Sequence, residues 1–325
     1  MTEQTEHGER WQDLIALASP TEERNPRTLD LDTLDAPALV DTILAEDAGV
    51  AAAVQAVAGP IAQLVELCVA AIASGCTVHY VGAGTSGRLG VLDAVELVPT
   101  YSATEDMVTA HIAGGAEAVM HAVEGAEDDA SAGAALVEDE CEAGDVVIGL
   151  AASGRTPYVR GALEAARARG LPTGLVAANP LAPLAALADV AVLVEVGPEV
   201  VTGSTRMKAA TAQKLVLNAM STATMVRLGT TFQNLMIDMR PTNKKLVARS
   251  VRMLVQASGA SPEHAAAVLD DAGGSVRVAL VALLAGADVQ DAQAAAVRFG
   301  KDSGRRGDPA GIRSAVASLT TKEPR

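Results

Sequence analysis

Five apolar runs, at 77–81, 107–113, 145–151, 173–178 and 188–196, alternate with segments of helical period. Several of them are nearly continuous in Val, Ile, Leu and Ala. A strand buried on both faces has that texture, whereas a strand with one wet face alternates apolar and polar residues. Runs of this kind separated by helices predict an α/β fold. The expected form is a doubly wound, mostly parallel five-stranded sheet flanked by helices, with right-handed crossovers. Ligands of such sheets bind outside the carboxyl ends of the strands.

The 325 residues allow roughly two domains. Hydrophobic residues make up 49% but aromatics only 2%, so the core must be built from Ala, Val and Leu. A net charge of −15 excludes a broad nucleic-acid surface. It also means that an anionic ligand must be gripped by local donors rather than by the overall field. Cys68, Cys76 and Cys141 are too widely spaced for a metal site or a disulfide framework and read as small buried hydrophobes. Residues 1–10 are polar and acidic, with no signal peptide, and no uninterrupted apolar run reaches the roughly 18 residues of a membrane span. A soluble cytoplasmic protein is expected, with neither membrane nor nucleic acid as partner.

Asp35 to Val57 reads as a helix and Pro60 to Ser74 as a second, joined at Gly59-Pro60. Before them, Thr21 to Thr28 is turn-rich, and Asn25-Pro26 is biased away from helix. Gly203 to Leu228 reads as one long helix capped by Thr202 or Ser204. Ser261-Pro262-Glu263 opens a compact set of three short helices over 261–298, and Lys301 to Arg325 reads as a charged, loosely held end. The expected layout is an N-terminal arm and helix (1–54), the sheet domain (55–240), a helical module (241–300) and a tail (301–325).

The richest motif is Gly82-Ala83-Gly84-Thr85-Ser86-Gly87-Arg88-Leu89-Gly90, between the first apolar run and a helical segment. Strand, glycine turn and helix start in that order make an anion cradle: the backbone approaches the ligand closely and free N–H groups point at negative charge. Gly82-x-Gly84-x-x-Gly87 also fits a dinucleotide fingerprint, but no acid stands at the tip of the next strand, where His111-Ile112-Ala113-Gly114 lies. The hydroxyls of Thr85 and Ser86 suit a phosphomonoester better. A second cradle, Ala152-Ser153-Gly154-Arg155-Thr156-Pro157, follows the third run, and Glu199 to Lys208 offers hydroxyls, an acid and two cations at a helix start, where they line the site or, alternatively, cap the helix. Candidate ligand residues are Gly84, Thr85, Ser86 and Arg88 in the first, Ser153, Gly154 and Thr156 in the second, and Ser204 and Lys208 in the third.

Reaction chemistry needs acids and bases near those strand ends. Glu96 lies among apolar neighbours in the helix that the first cradle opens, where burial would raise its proton affinity. Glu124 and Glu127 follow the second strand in an acidic loop; the alternative for such a loop is a solvated cap on the next helix, the reading given to Asp128-Asp129. His79 reads as a satisfied core residue. His111, near a strand end, is an alternative base. No metal-ligand spacing, nucleophile elbow or Walker lysine is present, so no cofactor is signalled.

Together these motifs resemble the sugar isomerase (SIS) domain. More closely, Gly82 to Gly90, Glu124-Gly125-Ala126-Glu127-Asp128, Ala151 to Tyr158, Val200 to Ala209 and the early Thr21-Glu22-x-x-Asn25-Pro26 are similar to the N-acetylmuramic acid 6-phosphate etherase family over roughly residues 20–300. The three-helix segment resembles that family's small UBA-like module. The resemblance implies cleavage of the D-lactyl ether of N-acetylmuramate 6-phosphate to N-acetylglucosamine 6-phosphate and D-lactate, without a cofactor. It implies acid/base roles for Glu96, in Asp93-Ala94-Val95-Glu96, and for Glu127. Where that family continues Glu-Cys-Pro-Pro-Thr, this chain has Glu96-Leu97-Val98-Pro99-Thr100, a change of loop shape with no catalytic group removed. It implies a homodimer with a shared site, with 36–74 and 203–228 as candidate interface helices. Two alternatives stand beside it on the same fold: a non-catalytic phosphosugar-binding regulator and a sugar-phosphate isomerase.

Overall fold

The computed structural model describes residues 19–104, 106–239, 243–300 and 311–321. An arm with two single-turn 3₁₀ helices (Pro20–Glu22 and Leu31–Thr33) leads into α1 (Ala36–Asp47), α2 (Val50–Ala56) and α3 (Ala58–Ala73). Then follow β1 (Val78–Gly82), α4 (Gly84–Tyr101), β2 (Val108–Ile112), α5 (Glu117–Met120), α6 (Ala130–Glu140), β3 (Val146–Leu150), α7 (Pro157–Ala168), β4 (Thr173–Ala177), β5 (Val190–Leu193) and α8 (Lys208–Arg227). The chain continues through a two-stranded hairpin, β6 (Thr231–Phe232) and β7 (Leu235–Met236), into α9 (Lys244–Ser258), α10 (Pro262–Asp271), α11 (Val276–Ala285), α12 (Val289–Phe299) and α13 (Gly311–Thr320).

The five runs form one parallel sheet of order β2-β1-β3-β4-β5. Alternation along the strands divides the core. Val78, Tyr80, Ile148, Leu150, Val176 and Val192 pack with α2, α3, α4 and α8 on one face. Val81, Val147, Leu175 and Ala177 pack with α6 and α7 on the other. With so few aromatics, close packing relies on small residues. A Cβ on Gly133 would lie 1.9 Å from the Tyr158 carbonyl oxygen, and one on Gly161 1.9 Å from that of Ala130, so α6 and α7 meet backbone to backbone. No single helix among the described residues is long and apolar enough to cross a bilayer, although two bent helix pairs meet that test together.

Six local expectations are corrected. The first helix breaks at Ala48-Gly49, and the joint before α3 is Val57, which leaves Gly59-Pro60 inside the first turn of α3. The long helix starts at Lys208 rather than Gly203, and neither Thr202 nor Ser204 caps it. The C-terminal core takes in Phe232, Ile237 and Met239 from before the module and Ile312 and Ala315 from the supposed tail, where α13 forms. Residues 1–10, 301–310 and 322–325 of the terminal expectations lie outside the described residues.

Candidate functional site

Sheet order reverses between β1 and β3, the topological switch point at which open α/β sheets bind ligands. Gly82, the last residue of β1, is in register with Leu150, the last of β3, so the two glycine cradles leave adjacent strands side by side. In the first, the glycines divide the work. A Cβ on Gly82 would meet the Gly87 nitrogen at 2.9 Å, and one on Gly87 would meet Ile112 Cγ1 at 2.7 Å, so these two let helix pack on strand. Gly84, at φ +52°, faces open space. Ala83 provides no side-chain cap for α4, and among the described residues the N–H groups of Gly84, Thr85 and Ser86 have no acceptor. Thr85 lies beside them half-buried, and Ser86 is buried.

The second cradle is similar. Gly154, at φ +67°, sits where a Cβ would come within 2.2 Å of Ala182 Cβ. Asn179 Nδ2 donates to the Ser153 carbonyl at 3.0 Å and fixes the loop. Thr156 precedes α7 with its side chain making no cap bond, so this helix start is open as well.

The third helix start is closed. Glu199 is fully buried, and its carboxylate accepts the Lys208 and Ala209 N–H groups at 2.9 Å each. An acid nine residues upstream thus occupies the anion position at the head of α8, while burial pushes that carboxyl upward against the two bonds. Lys208, the cation at that helix start, has a partner within the chain. It is buried, and its Nζ donates to Glu46 Oε2 at 3.1 Å. Glu46 also accepts from Asn25 Nδ2 at 2.8 Å and from Arg27 Nη2 at 2.6 Å. The arm lies along the third segment: Gly203 N–H donates to the Thr21 carbonyl at 3.0 Å, and Thr28 Oγ1 to that of Val200 at 2.8 Å. Ser204 is half-buried in this supported turn, its N–H on the Val201 carbonyl at 2.9 Å.

Arg88 also holds backbone. Its Nε donates to the Val119 carbonyl at 3.0 Å and its Nη2 to that of His121 at 2.9 Å. This draws the chain leading to Glu127 against the first turns of α4. Glu127 is exposed in a single 3₁₀ turn, Ala126–Asp128, after Gly125 at φ +75°. Glu96 is exposed two turns beyond Arg88, about 18 Å along the helix from Gly84 at 1.5 Å per residue. Leu92, Val95 and Val98 around it are 45%, 60% and 41% exposed, so the apolar neighbours are real but do not bury the carboxyl within one chain. No hydrogen bond or ion pair among the described residues joins Glu96 to Glu127.

Glu199 takes the capping alternative read for its segment. Two further residues do structural work at the site with no signal drawn from the sequence: Glu46, whose partner Lys208 is 162 residues away, and Asp93. Asp93 is legible: Ser86, Gly90, Asp93, Leu97 and Tyr101 form the buried stripe of α4. Tyr80 Oη donates to Asp93 Oδ2 at 3.4 Å and Ser221 Oγ to Oδ1 at 3.2 Å, which pins the helix bearing Glu96 to β1 and α8. Burial pushes the Asp93 carboxyl up despite the Ser221 bond.

His79 and His111 form a hydrogen-bonded chain with Asp145. His79 Nε2 lies 3.1 Å from Asp145 Oδ2, and His79 Nδ1 lies 3.0 Å from His111 Nε2. The consistent assignment has His79 donating to Asp145 and accepting from His111. Burial, and the neighbouring His79, bring His111 down from 6.5 to about 4. Between those values the unfolded chain binds a proton that the folded chain refuses, so stability falls as pH drops through that window. A melting series from pH 7 to 4 is expected to slope less steeply in His111→Asn than in the native chain. Equal slopes would remove His111 from the acid response.

Comparison with known proteins agrees with this architecture. Residues 119–223 match the SIS domain family, and residues 60–167 match the glucokinase regulatory protein N-terminal SIS domain. The chain is 48% identical over 297 residues to an N-acetylmuramic acid 6-phosphate etherase of Mesorhizobium japonicum, covering 91% of this chain and 96% of the relative. It is 50% identical to that of Serratia proteamaculans over 86% of this chain and 94% of the relative. For that of Symbiobacterium thermophilum the figures are 52%, 82% and 89%. At such identity over nearly the full length of each, the chain belongs to the N-acetylmuramic acid 6-phosphate etherase family.

Proposed function

We propose that this enzyme cleaves the D-lactyl ether of N-acetylmuramate 6-phosphate in the cytoplasm, giving N-acetylglucosamine 6-phosphate and D-lactate for amino-sugar recycling. The observation that carries the reading is the pair of open helix starts, α4 and α7, on adjacent strands at the switch point. Gly84, Thr85 and Ser86 with Ser153, Gly154 and Thr156 grip the phosphosugar there. Ring opening to the aldehyde acidifies the hydrogen on carbon 2. A glutamate removes that proton, lactate leaves carbon 3 with help from an acid, and water adds to carbon 3 of the unsaturated aldehyde. Glu96 and Glu127 are the acid/base pair. Lys208 and Arg88 support the site through Glu46 and the 119–121 carbonyls.

The distance along α4 bears on assembly. A hexose gripped at the head of α4 does not extend the length of three helical turns, so Glu96 serves the cradle of a second copy. The exposed Leu92, Val95 and Val98 around it suit burial in a homodimer. Purified protein is expected to release D-lactate from N-acetylmuramate 6-phosphate and to scatter light as a dimer. A rearranged sugar without lactate would mean an isomerase, and tight binding with no product a regulator.

A further inference from the structure

Asp238, just after the β6–β7 hairpin, ties together three parts of the chain. Its carboxylate accepts two bonds from Arg277, Nε to Oδ1 at 2.7 Å and Nη2 to Oδ2 at 2.8 Å. Arg277 is the second residue of α11, and its Nη2 also donates to the Gly229 carbonyl at 2.7 Å, beyond the end of α8. The side chains of Arg277 and Asp238 are only 13% and 5% exposed. A bidentate pair at that depth fixes both distance and orientation. On its other side, the Asp238 carbonyl accepts the hydroxyl of Ser102.

Ser102 ends α4, the helix of Glu96, at φ +48°, a left-handed conformation that side-chain-bearing residues adopt under strain. Pro99 lies in the last turns of α4 and lacks the N–H that would bond the Val95 carbonyl. Thr100 Oγ1 donates to the Glu96 carbonyl at 2.8 Å. The Glu96 turn is thus short of a helical bond and closes on a strained residue. Its placement depends on what holds Ser102.

We infer that the C-terminal helical bundle is a positioning element for the Glu96 turn of α4, acting through Arg277, Asp238 and Ser102. The inference rests on the acid/base reading of Glu96 and gives the bundle a task in that reaction. Arg277 anchors Asp238 to α11, the Asp238 main chain holds Ser102, and Ser102 fixes the end of α4. A reacting group displaced by about 1 Å can lose on the order of 10²-fold in rate.

The test compares full-length Arg277→Met and Ser102→Ala with the native chain. In both, kcat is expected to fall about 10–100-fold with KM within about twofold, because the groups that bind substrate are untouched. Arg277→Lys should recover part of the loss, since one ammonium still reaches one carboxylate oxygen. Ser102→Ala deletes a hydroxyl outside the core, so it decides the matter even if Arg277→Met does not fold. Native kcat in folded Ser102→Ala and Arg277→Met, or a loss confined to KM, overturns the inference. Glu96→Gln run alongside separates two failures. If Glu96→Gln is inactive while Ser102→Ala and Arg277→Met keep native kcat, only the positioning role falls. If Glu96→Gln retains full activity, the reading of Glu96 falls and takes the positioning role with it.

Discussion

Glu96→Gln is expected to fold like the native chain, bind phosphosugar and turn over about 10²–10⁴-fold more slowly, the range for losing one positioned acid/base group. Glutamine keeps the size of the side chain and loses its ability to exchange a proton. Stability should hardly change, since Glu96 is exposed and makes no side-chain bond among the described residues. Binding should survive because the cradles lie elsewhere: helical rise sets Glu96 about 18 Å from the head of its own α4. The same separation predicts complementation. In a two-fold dimer whose site joins one chain's cradle to the other's Glu96, mixing Glu96→Gln with Thr85→Asp builds one complete site per heterodimer. Aspartate suits a helix start but repels phosphate there, so Thr85→Asp alone should fold and lose binding. Activity restored on mixing and re-forming dimers is the expected result. No recovery would return Glu96 to its own cradle, and full activity of Glu96→Gln alone would take it out of the mechanism.

Much of this arrangement can be read from residue order, and what cannot has a physical reason. The strands are legible because both faces are buried: the runs at 77–81 and 145–151 correspond to Val78–Gly82 and Val146–Leu150. The cradles are legible because a glycine turn between strand and helix is local in sequence. Glu199 is legible only in part: an acid before a helix start can cap it, but a loop of eight residues that the arm holds lies between it and Lys208, so the sequence leaves its place open. Helical texture before Lys208 therefore placed that start too early. Lys208 illustrates the same limit. A lysine at a helix start beside hydroxyls reads as a ligand for phosphate, and only the fold brings Glu46 to it from 162 residues away. Glu96 reverses the case: apolar neighbours in sequence suggest burial, yet Leu92 and Val95 are themselves exposed. In the proposed homodimer a second chain would cover them, which no periodicity within one chain can display.

The Lys208–Glu46 pair leads to the largest stability effect. Both side chains are almost closed to water, at 3% and 6% exposure. Glu46→Gln takes away the ion-pair partner of the buried Lys208 ammonium and leaves the Glu199 carboxylate as a charge acting on it; removing one partner of such a pair costs about 3–5 kcal/mol. The melting temperature should fall by roughly ten degrees. Arg27→Ala should do far less, because the Arg27 side chain is 64% exposed. Glu46→Leu with Lys208→Met, which removes both charges, should recover much of the loss, since the single change is costly mainly for the charge it strands. Acid titration gives an independent check. The bond from Arg27, opposed by burial and aided by Asn25 and Lys208, brings the Glu46 carboxyl down from 4.5 to about 2. A carboxyl held lower in the folded chain stabilises fully above its unfolded value and loses that contribution as pH falls through the folded one. The Glu46 window, about 4.5 to 2, therefore opens below most of the His111 window. A melting series that steepens below pH 4.5 in the native chain but not in the Glu46→Leu, Lys208→Met pair would place this step at Glu46, and an identical slope in both would assign it to other carboxylates.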